Sequence, residues 1–226
     1  MRNRIVWLLV FCGLSASALA QTSFDKYNFN FGVGPGIGRG YVSSFVGNSF
    51  QGSAGGGINF NHLFGVDGEY MYYSLGLRPS VSQDDGLPDS SNHLQSISVN
   101  GIVTVPRHIG KWGAYGIAGV GFDKRSVSLA HSYPLQSGSI CQPPYYTWWG
   151  INCYGNNNPQ SPPTVNGPQT LGSYSKDAGS YNFGGGVTYR MDSWHHAKLY
   201  LEYRRHKAYQ SDAATVVWPV TFGLRW

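Results

Sequence analysis

The chain has 226 residues, with 16 Lys and Arg against 11 Asp and Glu for a formal charge of +5. Charged residues make up only 12 %, about half the share of an ordinary soluble domain, while aromatics reach 15 % and glycines number 31. That balance excludes coiled coils, helical bundles, collagen and charge-rich disorder; a chain rich in Gly, Tyr, Asn and Ser with a mean hydropathy of −0.26 fits a single all-β domain.

In chain order, Arg2 and Arg4 come first, followed by the apolar run Ile5 to Leu14 and a segment Ser15 to Ala20 that ends in an A-x-A pattern. These predict a secretory signal peptide over residues 1–20, cleaved after Ala20. The apolar run is too short to cross ~30 Å of hydrocarbon as a helix. A lipoprotein anchor at Cys12 is disfavoured by the bulk of Phe11 before it. Cleavage removes two arginines, leaving 14 − 11 = +3 for residues 21–226. No nucleic-acid partner is expected of an exported chain with so small a charge.

The mature chain alternates with period 2, the mark of strands with two different faces. Near its start Phe29, Phe31 and Val33 alternate with Asn28, Asn30 and Gly32. Weaker, Gly-rich strands follow near Ser53–Phe60 and later near Trp112–Phe122. Val66, Gly68, Tyr70 and Tyr72 alternate with Asp67, Glu69, Met71 and Tyr73, and Ile97, Val99 and Val103 alternate with Ser96, Ser98, Asn100 and Ile102. Tyr181, Phe183, Val187 and Tyr189 alternate with Ser180, Asn182, Gly184 and Arg190. Leu199, Leu201 and Tyr203 alternate with Lys198, Tyr200, Glu202 and Arg204. The last strand is the clearest: Val216, Trp218, Val220, Phe222, Leu224 and Trp226 are separated by Val217, Pro219, Thr221, Gly223 and Arg225.

Eight strands, each near the ~9–11 residues that a tilted strand needs to cross a bilayer, are joined by connections of alternating length. The short ones are Asn61–Phe64, Pro106–Lys111 and Met191–His196; the long ones are Gly38–Phe50, Gly76–Asn92 and above all 123–176, with a last one near Lys207–Ala213. The expected fold is an eight-stranded antiparallel up-and-down transmembrane β-barrel with short periplasmic turns and long extracellular loops. A soluble secreted barrel alternates too, but with the apolar set inward. Here the apolar set carries bulky Tyr, Trp and Phe near strand ends, and the opposite set is small and sparsely charged, with both signs present. Both features favour lipid outside and a crowded lumen inside.

An eight-strand barrel has an interior that side chains just fill. Buried carboxylates there need cationic partners. Asp67, Glu69, Glu202, Arg204 and Arg225 are therefore expected to form a lumenal charge network that plugs the barrel. The triplets Gly55–Gly57 and Gly184–Gly186 are not phosphate loops, since no GK[ST] follows and no helix opens; glycine relieves crowding in a small curved barrel. Cleavage leaves Cys141 and Cys153, whose spacing in an exported chain reads as one disulfide rather than a metal site. No cofactor is expected.

The segments FGVDGEY at Phe64–Tyr70, YGIAGVGF at Tyr115–Phe122, LYLEYR at Leu199–Arg204 and FGLRW at Phe222–Trp226 resemble those of the OmpA/OmpX-like small outer-membrane β-barrel proteins. The resemblance implies a bacterial outer-membrane location, contact with outer-membrane lipid, and recognition of Phe222, Leu224 and Trp226 by the barrel-assembly machinery. The family more often ends in Phe, and Trp226 keeps the aromatic terminus. Because the last strand runs to the last residue, the wall-anchoring role of some relatives is not expected. Some barrels of this size modify lipid A, one class with a His-x-Ser-Asn pattern on a late strand. His206-Lys207-Ala208-Tyr209 does not match it, and catalysis is not expected.

The region 123–176 holds the disulfide, Pro143-Pro144 and the aromatic run Tyr145, Tyr146, Trp148 and Trp149, a candidate recognition surface for an extracellular ligand. The functional expectation is a structural or surface-interaction barrel without catalysis. The alternatives are a small pore or transporter of hydrophobic compounds, a lipid A-modifying enzyme, and a soluble secreted barrel.

Overall fold

The computed structural model describes residues 25–44, 46–78, 91–106, 109–131, 140–142, 152–154, 169–191, 197–211 and 214–226. The strands are β1 (Tyr27–Arg39), β2 (Val46–Asn59), β3 (Phe64–Leu77), β4 (Ser91–Thr104), β5 (Trp112–His131), β6 (Ile140–Gln142), β7 (Asn152–Tyr154), β8 (Gln169–Arg190), β9 (Lys198–Ala208) and β10 (Thr215–Arg225). Eight of them close into one antiparallel barrel in the order β1-β10-β9-β8-β5-β4-β3-β2, while β6 and β7 pair separately. Each barrel strand lies beside its neighbour in sequence, so the chain runs up and down around the ring.

Closure comes from β1 and β10, which pair from Asn30↔Arg225 to Arg39↔Val216. Beyond that ladder, Trp226 N–H donates to Phe29 O at 2.9 Å and Phe29 N–H to Trp226 O at 3.3 Å. The seam therefore extends to the last residue, and both described ends of the chain lie at one end of the barrel. We call this the terminal end and the other the loop end.

Alternation sorts the side chains as two solvents would. Outward stand Phe29, Phe31, Val33, Ile97 (66 % exposed), Val99, Val120, Phe122 (79 %), Phe183, Leu201 and Phe222. Inward stand Asn28, Asn30, Gln51, Asp67, Glu69, Ser96, Ser98, Asn100, Asn182, Glu202 and Arg204, all buried. In water so large an apolar exterior would aggregate; in a bilayer it is the stable arrangement, and closure leaves no unpaired strand edge in the hydrocarbon. Aromatic pairs mark two levels of the wall. Trp112 and Tyr189 lie 5.0 Å apart near the terminal end, and Tyr203 and Trp218 lie 5.9 Å apart toward the loop end.

The long connection is shorter than the sequence suggests. Residues 123–131 continue β5, and β8 begins at Gln169, with pairing from Asp123↔Ala178 out to His131↔Gln169. The apolar alternation stops at Phe122, which hid this extension, but the inward phase persists: Asp123, Arg125 and Val127 are buried while Lys124 is exposed. Outward polar residues are what strands show once they leave lipid for water. The expected loop at Gly38–Phe50 is corrected likewise, because β1 reaches Arg39, a 3-10 turn covers Gly40–Ser44 and β2 starts at Val46. His93 lies on β4 and His131 on β5.

Small residues make room for the lumen. A Cβ on Gly32 would collide with the hydroxyl of Tyr200 and lie 2.5 Å from Thr221 Cγ2. The ring of Tyr200 occupies that space, buried in the interior.

Candidate functional site

The inward phases of β3, β4, β8 and β9 meet at the middle of the barrel. There Arg204, 2 % exposed, bridges two carboxylates: its Nη1 and Nη2 donate to Glu69, the latter at 3.1 Å, and its Nε donates to Glu202. Fixed donors complete the acceptor set. Tyr115 Oη donates to Glu202 Oε2 at 2.7 Å, and Asn100 Nδ2 to Glu69 Oε2 at 3.2 Å; Asn182 Nδ2 in turn donates to Asn100 Oδ1 at 2.9 Å. A guanidinium held in this planar, two-sided fashion is the strong form of a buried ion pair. Removing one member leaves a buried charge without compensation.

Of the five charged residues singled out in the sequence, the structure brings Glu69, Glu202 and Arg204 into direct contact. Asp67 accepts instead from Asn30 Nδ2 at 3.1 Å. Arg225 lays its guanidinium over the rings of Tyr115 (4.4 Å) and Tyr200 (5.2 Å), a cation–π arrangement rather than a salt bridge.

Above this layer sits a second polar cluster that the sequence reading missed. His206 is fully buried, with Nε2 2.5 Å from Asp123 Oδ2, and Ser180 Oγ donates to Asp123 Oδ1 at 2.7 Å. The ring of Tyr73 lies 5.6 Å from that of His206. Arg125 Nη1 approaches Thr215 Oγ1 at 3.4 Å one level higher. The signal for these residues was available: Asp123 and Arg125 keep the odd-numbered phase of Tyr115 and Ile117, and His206 keeps the even phase of Tyr200, Glu202 and Arg204. Although Ser, Asp and His are together, the order is not that of a nucleophilic triad. There the histidine stands between serine and carboxylate to take the proton; here the carboxylate stands between the other two.

The remaining candidates are peripheral or outside the described residues. Phe222 and Leu224 point outward on β10, and Trp226 packs edge-on against Phe31 at 6.1 Å. Cys141 and Cys153 are register partners in the β6·β7 ladder. Tyr145, Tyr146, Trp148, Trp149 and the segment 1–20 lie outside the described residues.

A closed antiparallel barrel with an apolar exterior, aromatic levels and a charged, filled lumen defines an integral outer-membrane barrel protein. A family model described as "Outer membrane protein beta-barrel domain" matches residues 6–225. The chain belongs to that family, and the bacterial outer membrane is its location. Among solved structures, Neisserial surface protein A matches at 11 % identity and a TM-score of 0.54, covering 88 % of this chain and 95 % of its own. A major outer membrane protein from Thermus thermophilus matches at 10 % identity and a TM-score of 0.52, covering 89 % of this chain and 99 % of its own. The attachment invasion locus protein Ail of Yersinia pestis matches at 15 % identity and a TM-score of 0.48, covering 90 % and 100 %. At these identities the likeness is one of fold. No curated sequence shows significant similarity to the chain.

Proposed function

We propose that the protein is a closed, non-conducting barrel that acts through its loop end in structure or surface interaction, without catalysis. The observation that carries this reading is the lumen itself. Arg204 joins β9 to β3 through Glu69, and the bulky, buried side chains of Tyr73, Met71, Arg125 and Tyr200 fill the levels around it. A pore of this strand number has no width left once such side chains interdigitate.

Residues 1–20 are the export signal, and 21–226 form the mature barrel. The terminal end faces the periplasm, which turns the β5·β8 ribbon and the connection beyond it outward from the cell. Cys141 and Cys153, directly opposed on antiparallel strands, have the backbone spacing that a disulfide accepts. Such a bond would shape the segment carrying Tyr145, Tyr146, Trp148 and Trp149 for contact with an extracellular partner. Phe222, Leu224 and Trp226 serve the barrel-assembly machinery.

Planar-bilayer recording tests the closed lumen: purified protein should insert without stepwise conductance, and discrete ohmic steps would turn the reading toward a pore. The loop role is tested by replacing Trp148 and Trp149 with alanine. Reduced binding of cells to immobilised host or glycan surfaces is expected, with barrel stability unchanged; unchanged binding removes the recognition surface.

A further inference from the structure

At the terminal end four cations stand side by side on four successive strands. Lys111 lies in the turn just before β5, Arg190 ends β8, Lys198 begins β9 and Arg225 ends β10; Arg190, Lys198 and Arg225 keep the inward phase of their strands, and Lys111 and Arg190 are exposed at the mouth. The register makes the crowding explicit. Arg190 is directly opposite Lys198, Lys198 is directly opposite Arg225, and Arg190 N–H donates to Lys111 O at 3.0 Å. Like charges directly opposed on antiparallel strands oppose pairing. A sequence selected only to close the ring would not place three such residues in one row.

These side chains line a cavity of about 100 Å³ whose wall also includes Asp25 and Trp226. That volume admits one tetrahedral oxyanion. Among the described residues of that wall, Arg190, Lys198 and Arg225 outnumber the one carboxylate side chain, Asp25. Arg225 adds an independent sign. It is only 8 % exposed, yet its Nε and Nη2 find no acceptor among the described residues, its contacts being the faces of Tyr115 and Tyr200. Two buried guanidinium nitrogens without an acceptor are costly, and an oxyanion supplies one in the geometry guanidinium prefers.

We propose that the terminal mouth of the barrel is a phosphate-binding site held by Lys111, Arg190, Lys198 and Arg225. The site binds the phosphate as an inter-strand counter-ion, bridging β8, β9 and β10 where their own side chains repel. A phosphate is favoured over a carboxylate because its oxygens are spread tetrahedrally and reach cations on several strands at once, the free or monoester form adding a greater charge. It reaches the site either as a free phosphate or phosphomonoester, or as the diester of a lipid headgroup.

The test uses the folded barrel in maltoside micelles, which carry no phosphate. Inorganic phosphate, compared with sodium chloride at equal ionic strength, should raise the thermal unfolding midpoint by about 3 °C or more near saturation. Dimethyl phosphate is the second probe. An equal rise with it identifies the diester as the source, and a rise confined to inorganic phosphate identifies the free or monoester form. Lys198→Gln separates binding from simple pairing: it should raise the midpoint without phosphate, by relieving repulsion, and abolish the phosphate-dependent rise. Arg190→Gln should do the same, which guards against one variant failing to fold. The proposal is overturned if neither phosphate exceeds chloride, or if both variants keep the full phosphate response.

Discussion

Arg204 illustrates how one residue organises the interior. Its three nitrogens are shared between Glu69 and Glu202, and each carboxylate has a further neutral donor. Arg204→Met should therefore lower the unfolding free energy by about 3–5 kcal/mol, because two carboxylates are left without their cation. Glu69→Gln, which keeps an acceptor and removes one charge, should cost distinctly less. Urea unfolding of the micelle-bound barrel measures both, and equal losses would mean that charge plays no part. Gly32 makes the complementary point about space. Gly32→Ala should destabilise by about 1–3 kcal/mol through overpacking against Tyr200 and Thr221. Adding Tyr200→Phe removes the nearest colliding atom and should return part of that loss, which a double-mutant cycle in the same assay reads directly. The charged members of the core layer were legible in the sequence because they interrupt an otherwise small, neutral phase. Their division was not. Whether Asp67 or Glu69 meets Arg204 depends on shear around the barrel, which no single strand encodes.

At the level of elements, the strands themselves were readable wherever lipid imposed an apolar face. The segments Val66–Tyr73 and Val216–Trp226 alternate so regularly that phase and extent follow together. The reading failed where strands pass beyond the bilayer. Along 123–131 the outward set becomes polar, the contrast between faces disappears, and with it went Asp123 and Arg125 as interior residues. The Gly-rich β2 gave no face at all, because Gly52, Ala54 and Gly56 on its outer side carry almost no side chain. The seam of β1 and β10 offers a separate test of the assembly signal. Trp226 contributes backbone bonds to Phe29 and an aromatic contact to Phe31. Trp226→Ala preserves the former, so the purified barrel should unfold within about 1 kcal/mol of the parent, a surface-type loss. Its level in the outer membrane should nevertheless fall several-fold. A matching loss of both would assign the residue to stability alone.

For the whole molecule, the arrangement of solvents explains the composition. Ordinary proteins spend charged residues on a water-facing surface, whereas here the widest surface meets hydrocarbon and the buried charges among the described residues are turned inward. The folded barrel should fractionate with outer membranes. It should also migrate differently on gels before and after boiling, because a closed ring of hydrogen-bonded strands resists detergent until heated. A protein that failed on both counts would contradict the bilayer-facing wall. Fold class was legible at this scale because alternation, strand number and aromatic placement all agreed. The filling of the lumen was legible only in outline, since it needs the register of eight strands at once.

The pairing of β1 with β10 has a consequence for how the chain is threaded. In a closed ring every strand has two neighbours, and none is first or last in space. The described ends of the chain meet through reciprocal backbone bonds between Phe29 and Trp226. A short linker joining them, with new ends cut in the 3-10 turn at Gly40–Ser44, would preserve every other strand pairing. Order along the chain is thus a matter of synthesis and delivery, while the finished ring is indifferent to where reading begins.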